Sequence, residues 1–79
     1  MRVVAEIPHE VMKITLFQWN GKYILKFEIS QFEQSYKFNE LDYSSYNEII
    51  EMINKSFLLH VLKLFSQMRD HYQLLLETK

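Results

Sequence analysis

Apolar residues along this chain recur with two periods, and the change falls near residue 42. Arg2 to Ile7 alternates, with Val3, Ala5 and Ile7 on one side and Arg2, Val4 and Glu6 on the other. That is the pattern of a half-buried strand, and Pro8, which has no N–H to donate, ends it. Two more alternating runs, Met12 to Trp19 and Lys22 to Ser30, flank Asn20-Gly21, and a fourth covers residues 33–39. From Tyr43 to Glu77 the spacing becomes helical: Tyr46, Ile50, Ile53, Phe57, Val61, Leu64, Met68, Tyr72 and Leu75 follow one another by three or four. A second row, Leu58, Leu62 and Phe65, widens the apolar arc to roughly half the circumference, beyond the ~100° stripe of a surface helix.

Asn20-Gly21 predicts a two-residue type I′ turn, because both central residues of that turn need positive φ. The turn sets the register. Trp19 then faces Lys22, Phe17 faces Ile24, Thr15 faces Lys26 and Lys13 faces Glu28. On the other side Gln18 meets Tyr23, Leu16 meets Leu25, Ile14 meets Phe27 and Met12 meets Ile29; this second set is the core face. A tight turn near Gln31-Phe32 places Tyr36 opposite Phe27 and Phe38 opposite Leu25. A four-residue loop, Pro8 to Val11, puts Ile7, Ala5 and Val3 on the core face beside Met12, Ile14 and Leu16.

The expected fold is therefore a single α+β domain over residues 1–79. It is a four-stranded antiparallel meander (strands about 2–7, 12–19, 22–30 and 33–39) packed on one long C-terminal helix, about 43–77 (ββββα). The expected core is Val3, Ala5, Ile7, Ile14, Leu16, Leu25, Phe27, Ile29, Tyr36 and Phe38 against Ile50, Ile53, Phe57, Val61, Leu64 and Phe65. Asp42, Ser44 or Ser45 caps the helix, and Ser45 has Glu48 at the capping-box distance. A helix of about 35 residues spans roughly 50 Å, against about 27 Å for an eight-residue strand. It overhangs its sheet unless it breaks near Asn54-Lys55-Ser56.

Composition changes this picture in one respect. Six Phe, five Tyr and one Trp are a large apolar payload for 79 residues, and no cysteine is present to reinforce a small core. A homodimer buries the excess, with Leu58, Leu62, Phe65, Met68, Tyr72 and Leu76 as its expected seam. The formal net charge of −1 gives no bulk attraction to nucleic acid. No apolar run approaches the ~20 residues of a membrane span, and the first residues do not read as a signal peptide, so a cytoplasmic protein without membrane contact is expected. One glycine and one proline leave no room for a linker.

Motifs that carry chemistry are lacking. His60 and His71 share a helix face but stand about 16 Å apart, and His9 lies in a loop, so no metal is expected. Ser44 and Ser45 are explained by capping, and no serine stands in a nucleophile motif. No cofactor and no catalytic activity are expected.

The outer face of the sheet carries the sharper candidate: Phe17, Trp19 and Ile24 among Lys13, Lys22, Lys26 and Lys37, with Lys26 and Lys37 set opposite each other. Aromatic rings that stack on bases, beside lysines that meet phosphates, are what single-strand nucleic-acid platforms use. The order of elements, four strands and then a long helix, resembles that of the Whirly and Pur-type single-strand-binding folds, which implies a nucleic-acid role for that face. The first expectation is nonetheless a non-enzymatic protein-interaction or assembly module acting as a homodimer, through self-association or a protein partner. A single-stranded nucleic-acid module is the second.

Overall fold

The computed structural model describes residues 1–78. Four strands, β1 (Arg2–Ile7), β2 (Lys13–Trp19), β3 (Lys22–Ile29) and β4 (Phe32–Asn39), form one antiparallel sheet in the order β1-β2-β3-β4. A single 3-10 turn, Glu40–Asp42, leads to α1 (Asn47–Met52) and then to α2 (Lys55–Glu77), which packs on the sheet. No helix among the described residues is long and apolar enough to cross a membrane.

The β2–β3 hairpin pairs as its turn dictates, from Trp19 with Lys22 to Lys13 with Glu28. Asn20 and Gly21 both have positive φ, 56° and 78°. The β3–β4 turn is Ser30-Gln31, with Ser30 at φ 55°. It comes one residue earlier than expected and moves the pairing by two: Gln34 faces Phe27, Tyr36 faces Leu25, and Phe38 faces Tyr23. A shift of two preserves the faces, so the core side is unchanged. It does separate the two lysines, since Lys26 pairs with Ser35 and Lys37 with Ile24.

The first strand corrects a second expectation. Ile7 pairs with Ile14, two residues later than a four-residue loop requires, and the turn between them is held by His9 Nδ1, which accepts from Val11 N (3.1 Å) and Met12 N (3.2 Å). Between Val3 and Ala5 the register slips. An extra residue in one strand turns the following side chain over. Val3 therefore lies beside Phe17 on the outer face, about half exposed at 52%, and Val4 packs against the core in its place.

The helical segment is not continuous. Ile53 is extended, and Asn54 begins a new helix by accepting Phe57 N–H on its side-chain oxygen at 2.8 Å. Asn54 is thus a cap, worth about 1 kcal/mol. Neither Asp42 nor the serines cap α1, whose first residue follows Tyr46; the Ser44 hydroxyl instead donates to the Glu48 carboxylate. The break changes the helical phase, so Ile49 rather than its neighbours is the fully buried residue of α1.

In α2 the buried residues are Val61 and Phe65, with Phe57, Leu58, Leu62 and Met68 packed beside them. Leu64, expected in the core, is 41% exposed, and Tyr36 at the sheet edge is 37% exposed. Phe57 contacts both Phe27 and Tyr36, which places α2 over β3 and β4. At about 34 Å, α2 outruns the sheet.

Candidate functional site

Two surfaces hold the residues singled out by sequence. On the outer face of the sheet, the pairing rows run Trp19–Lys22–Asn39, then Val3–Phe17–Ile24–Lys37, then Glu6–Thr15–Lys26–Ser35, then Lys13–Glu28–Glu33. Trp19, Lys22, Ile24 and Lys37 come together with Asn20 around a hollow of about 180 Å³. Ile24 is its buried floor and Trp19 its exposed wall. Lys26 stands 6.0 Å from the Phe17 ring centre and 3.2 Å from the Glu33 carboxylate, so it is spoken for. Lys13 lies at the far end, opposite Glu28. Lys22 and Lys37 thus surround the tryptophan, and the other end of the face is mixed, with Glu28 and Glu33 beside Lys13 and Lys26.

The second surface is the flank of α2 beside β4. Of the expected seam, Phe65 is buried against the sheet, and Leu58, Leu62 and Met68 are half-buried, packed against the core with part of their surface open. Tyr72 and Leu76 are exposed, because the helix carries the same stripe past the end of the sheet. Tyr72 makes the last contact, edge-on to Phe32 with ring centres 5.5 Å apart. On one side of that pair a hollow of about 450 Å³ opens toward Ile29, the β3–β4 turn, Leu62 and Arg69. On the other side, away from β3, Phe32, Met68, His71, Tyr72 and Leu75 line a second hollow.

The reason is visible in the helical angles. The stripe read from sequence, through Leu64, Met68 and Leu75, is rotated toward the open side of β4 relative to the Val61–Phe65 line that meets the sheet. The surplus apolar surface and the unpaired sheet edge therefore lie side by side. Gln34, which the sequence reading passed over, fixes this geometry: it is buried on β4, and its Nε2 donates to Val61 O at 2.9 Å. A polar residue among apolar ones on the core face of a strand was the available signal.

At the opposite corner, Gln18 joins Arg2 and Glu40; its Nε2 donates to Glu40 Oε1 at 2.9 Å, and its Oε1 accepts from Arg2. Among the described residues no three His, Cys, Asp or Glu side chains are grouped as metal ligands. Comparisons with protein-family models, with curated proteins and with solved structures find no match to this chain.

Proposed function

We propose that this chain is a small non-enzymatic assembly module that works as a homodimer, using the open side of β4 and the adjoining flank of α2. One observation carries the reading: Leu64, Tyr72 and Leu75 remain exposed by 38% or more on a stripe that runs through Met68 and is continuous with the core. Contiguous apolar surface beside a free strand edge is unfavourable in water and is relieved by association. Light scattering coupled to gel filtration at tens of micromolar tests it. A mass of twice 9.7 kDa, reduced by Leu64→Ser with Leu75→Ser, is the expected result. A wild-type monomer removes the proposal.

A second reading rests on the Trp19 hollow, where an exposed indole, Lys22 and Lys37 offer stacking and phosphate contacts to single-stranded nucleic acid. Its test is Trp19 fluorescence during addition of a single-stranded oligonucleotide at low and moderate salt. Saturable quenching that weakens with salt and disappears in Lys22→Glu supports it. Unchanged fluorescence and anisotropy at high micromolar oligonucleotide discard it.

A further inference from the structure

We infer that two copies of this chain join through β4, antiparallel and centred on Ser35, to make one continuous eight-stranded sheet. The inference rests on the homodimer reading above and names its geometry. The two edges of the sheet are not equivalent. β1 is broken by its register slip and ended by Pro8, whereas β4 runs eight residues with neither bulge nor proline. In the two-residue turn at Ser30-Gln31, the flanking pair Ile29 and Phe32 exchanges both hydrogen bonds. Alternation then directs Phe32, Gln34, Tyr36 and Phe38 to β3, and leaves the N–H and C=O groups of Glu33, Ser35 and Lys37 pointing outward.

The side chains of this edge are self-complementary. From Phe32 to Phe38 the sequence is Phe-Glu-Gln-Ser-Tyr-Lys-Phe, with an acid and a base equidistant from Ser35 and an aromatic at each end. A two-fold axis at Ser35 sets Glu33 against Lys37 of the partner subunit, and Lys37 against the partner's Glu33. On the core face it sets Phe32 against the partner's Phe38. Other registers do worse. An axis at Glu33 or at Lys37 brings like charges face to face, and one at Gln34 or Tyr36 leaves both charges opposite uncharged residues. Glu33 meets Lys26 through Oε2, which leaves Oε1 for the incoming lysine.

The helices fit the same arrangement. A perpendicular axis keeps both on one side of the joined sheet. Strands lie about 4.8 Å apart, so a helix over β3 and β4 stands roughly 5 Å from the axis, and the pair reaches the 8–10 Å at which helices pack. The helix residues level with Ser35, between Phe57 and Val61, then stand closest to the partner helix. Lys37 is shared with the nucleic-acid hollow, so the dimer and the second reading compete for one lysine.

Charge exchange and cross-linking test the register. Lys37→Glu should weaken dimerisation roughly tenfold or more, because symmetry makes each replaced pair count twice. Glu33→Lys combined with Lys37→Glu should restore it. The chain has no cysteine, so Ser35→Cys reports alone: hydrogen-bonded antiparallel partners have Cα atoms about 5.5 Å apart, within disulfide reach, and mild oxidation should give covalent dimers. A wild-type dimer that Lys37→Glu leaves intact, with no disulfide formed in Ser35→Cys, overturns this geometry while the homodimer stands. A wild-type monomer overturns both.

Discussion

The Gln34 side-chain amide donates to the backbone carbonyl of Val61 at 2.9 Å, a bond between the edge strand and the middle of α2. The acceptor is a carbonyl of a helix interior, which has a lone pair to spare beyond its intrahelical bond. Because the amide is buried, its Oε1 also needs a partner, and the Tyr36 hydroxyl supplies one at 3.3 Å. One residue thus ties β4, α2 and the half-exposed Tyr36 together and sets how far the helix stands from the open edge.

Gln34→Ala should lower unfolding free energy by about 1–3 kcal/mol, combining a lost buried hydrogen bond with lost packing. Gln34→Met keeps the volume, leaves no orphan amide, and should cost less. Urea denaturation of both variants checks the order. If alanine and methionine cost the same, the hydrogen bond is not what matters at this position.

Ser30 occupies the first position of the β3–β4 turn with φ 55°, a conformation that strains a residue with a Cβ. Ser30→Gly relieves that strain and suits the II′ pattern, in which positive φ falls on the first central residue. A gain of about 0.5–1 kcal/mol is expected. A lower thermal midpoint in calorimetry would count against this account of the turn.

Thr15 is buried on the outer face at 2% exposure, in a row between Glu6 and Lys26, and its hydroxyl has no hydrogen-bond partner among the described residues. A buried unpaired hydroxyl costs about 1–3 kcal/mol, and valine has nearly the same shape with better strand packing. Thr15→Val should therefore stabilise the fold by about 1 kcal/mol, measured as an increased urea midpoint with an unchanged slope.

Phe65 and Leu75 separate core from surplus. Phe65→Ala removes a buried ring from the centre of the sheet–helix contact and should cost about 3–5 kcal/mol, much of the stability of a domain this small. Leu75→Ser, at a residue 68% exposed, should change the stability of the isolated chain by less than about 0.5 kcal/mol. Thermal melts at low micromolar concentration compare the two. A large loss in Leu75→Ser under those conditions would place Leu75 within the fold and not at its surface.

Sequence by itself determined the four strands and the helical segment after them, though not its division at Ile53-Asn54 into two helices, and for the central hairpin every cross-strand partner from Lys13–Glu28 to Trp19–Lys22. Asn20-Gly21 is a local signal: it settles the turn, and strand periodicity carries the register outward from there. Where no such signal exists, long-range contacts decided. Ser30-Gln31 lacks a glycine, and the β3–β4 pairing came out two residues from expectation. The slip near Val4, which turned Val3 outward, is a compromise between strand pairing and core packing that no local pattern encodes.

The helix shows the same division. Its apolar spacing marked Phe57, Val61 and Phe65 as core, but Leu64 and Leu75 satisfy that spacing equally well. Only the position of the sheet beneath α2, held by Gln34, distinguished the residues it buries from those it leaves beside the open edge. The aromatic and lysine residues of the outer face were legible because alternate residues of a strand share a side. That Lys37 stands near Trp19, while Lys26 is paired with Glu33, was settled by the register of β4.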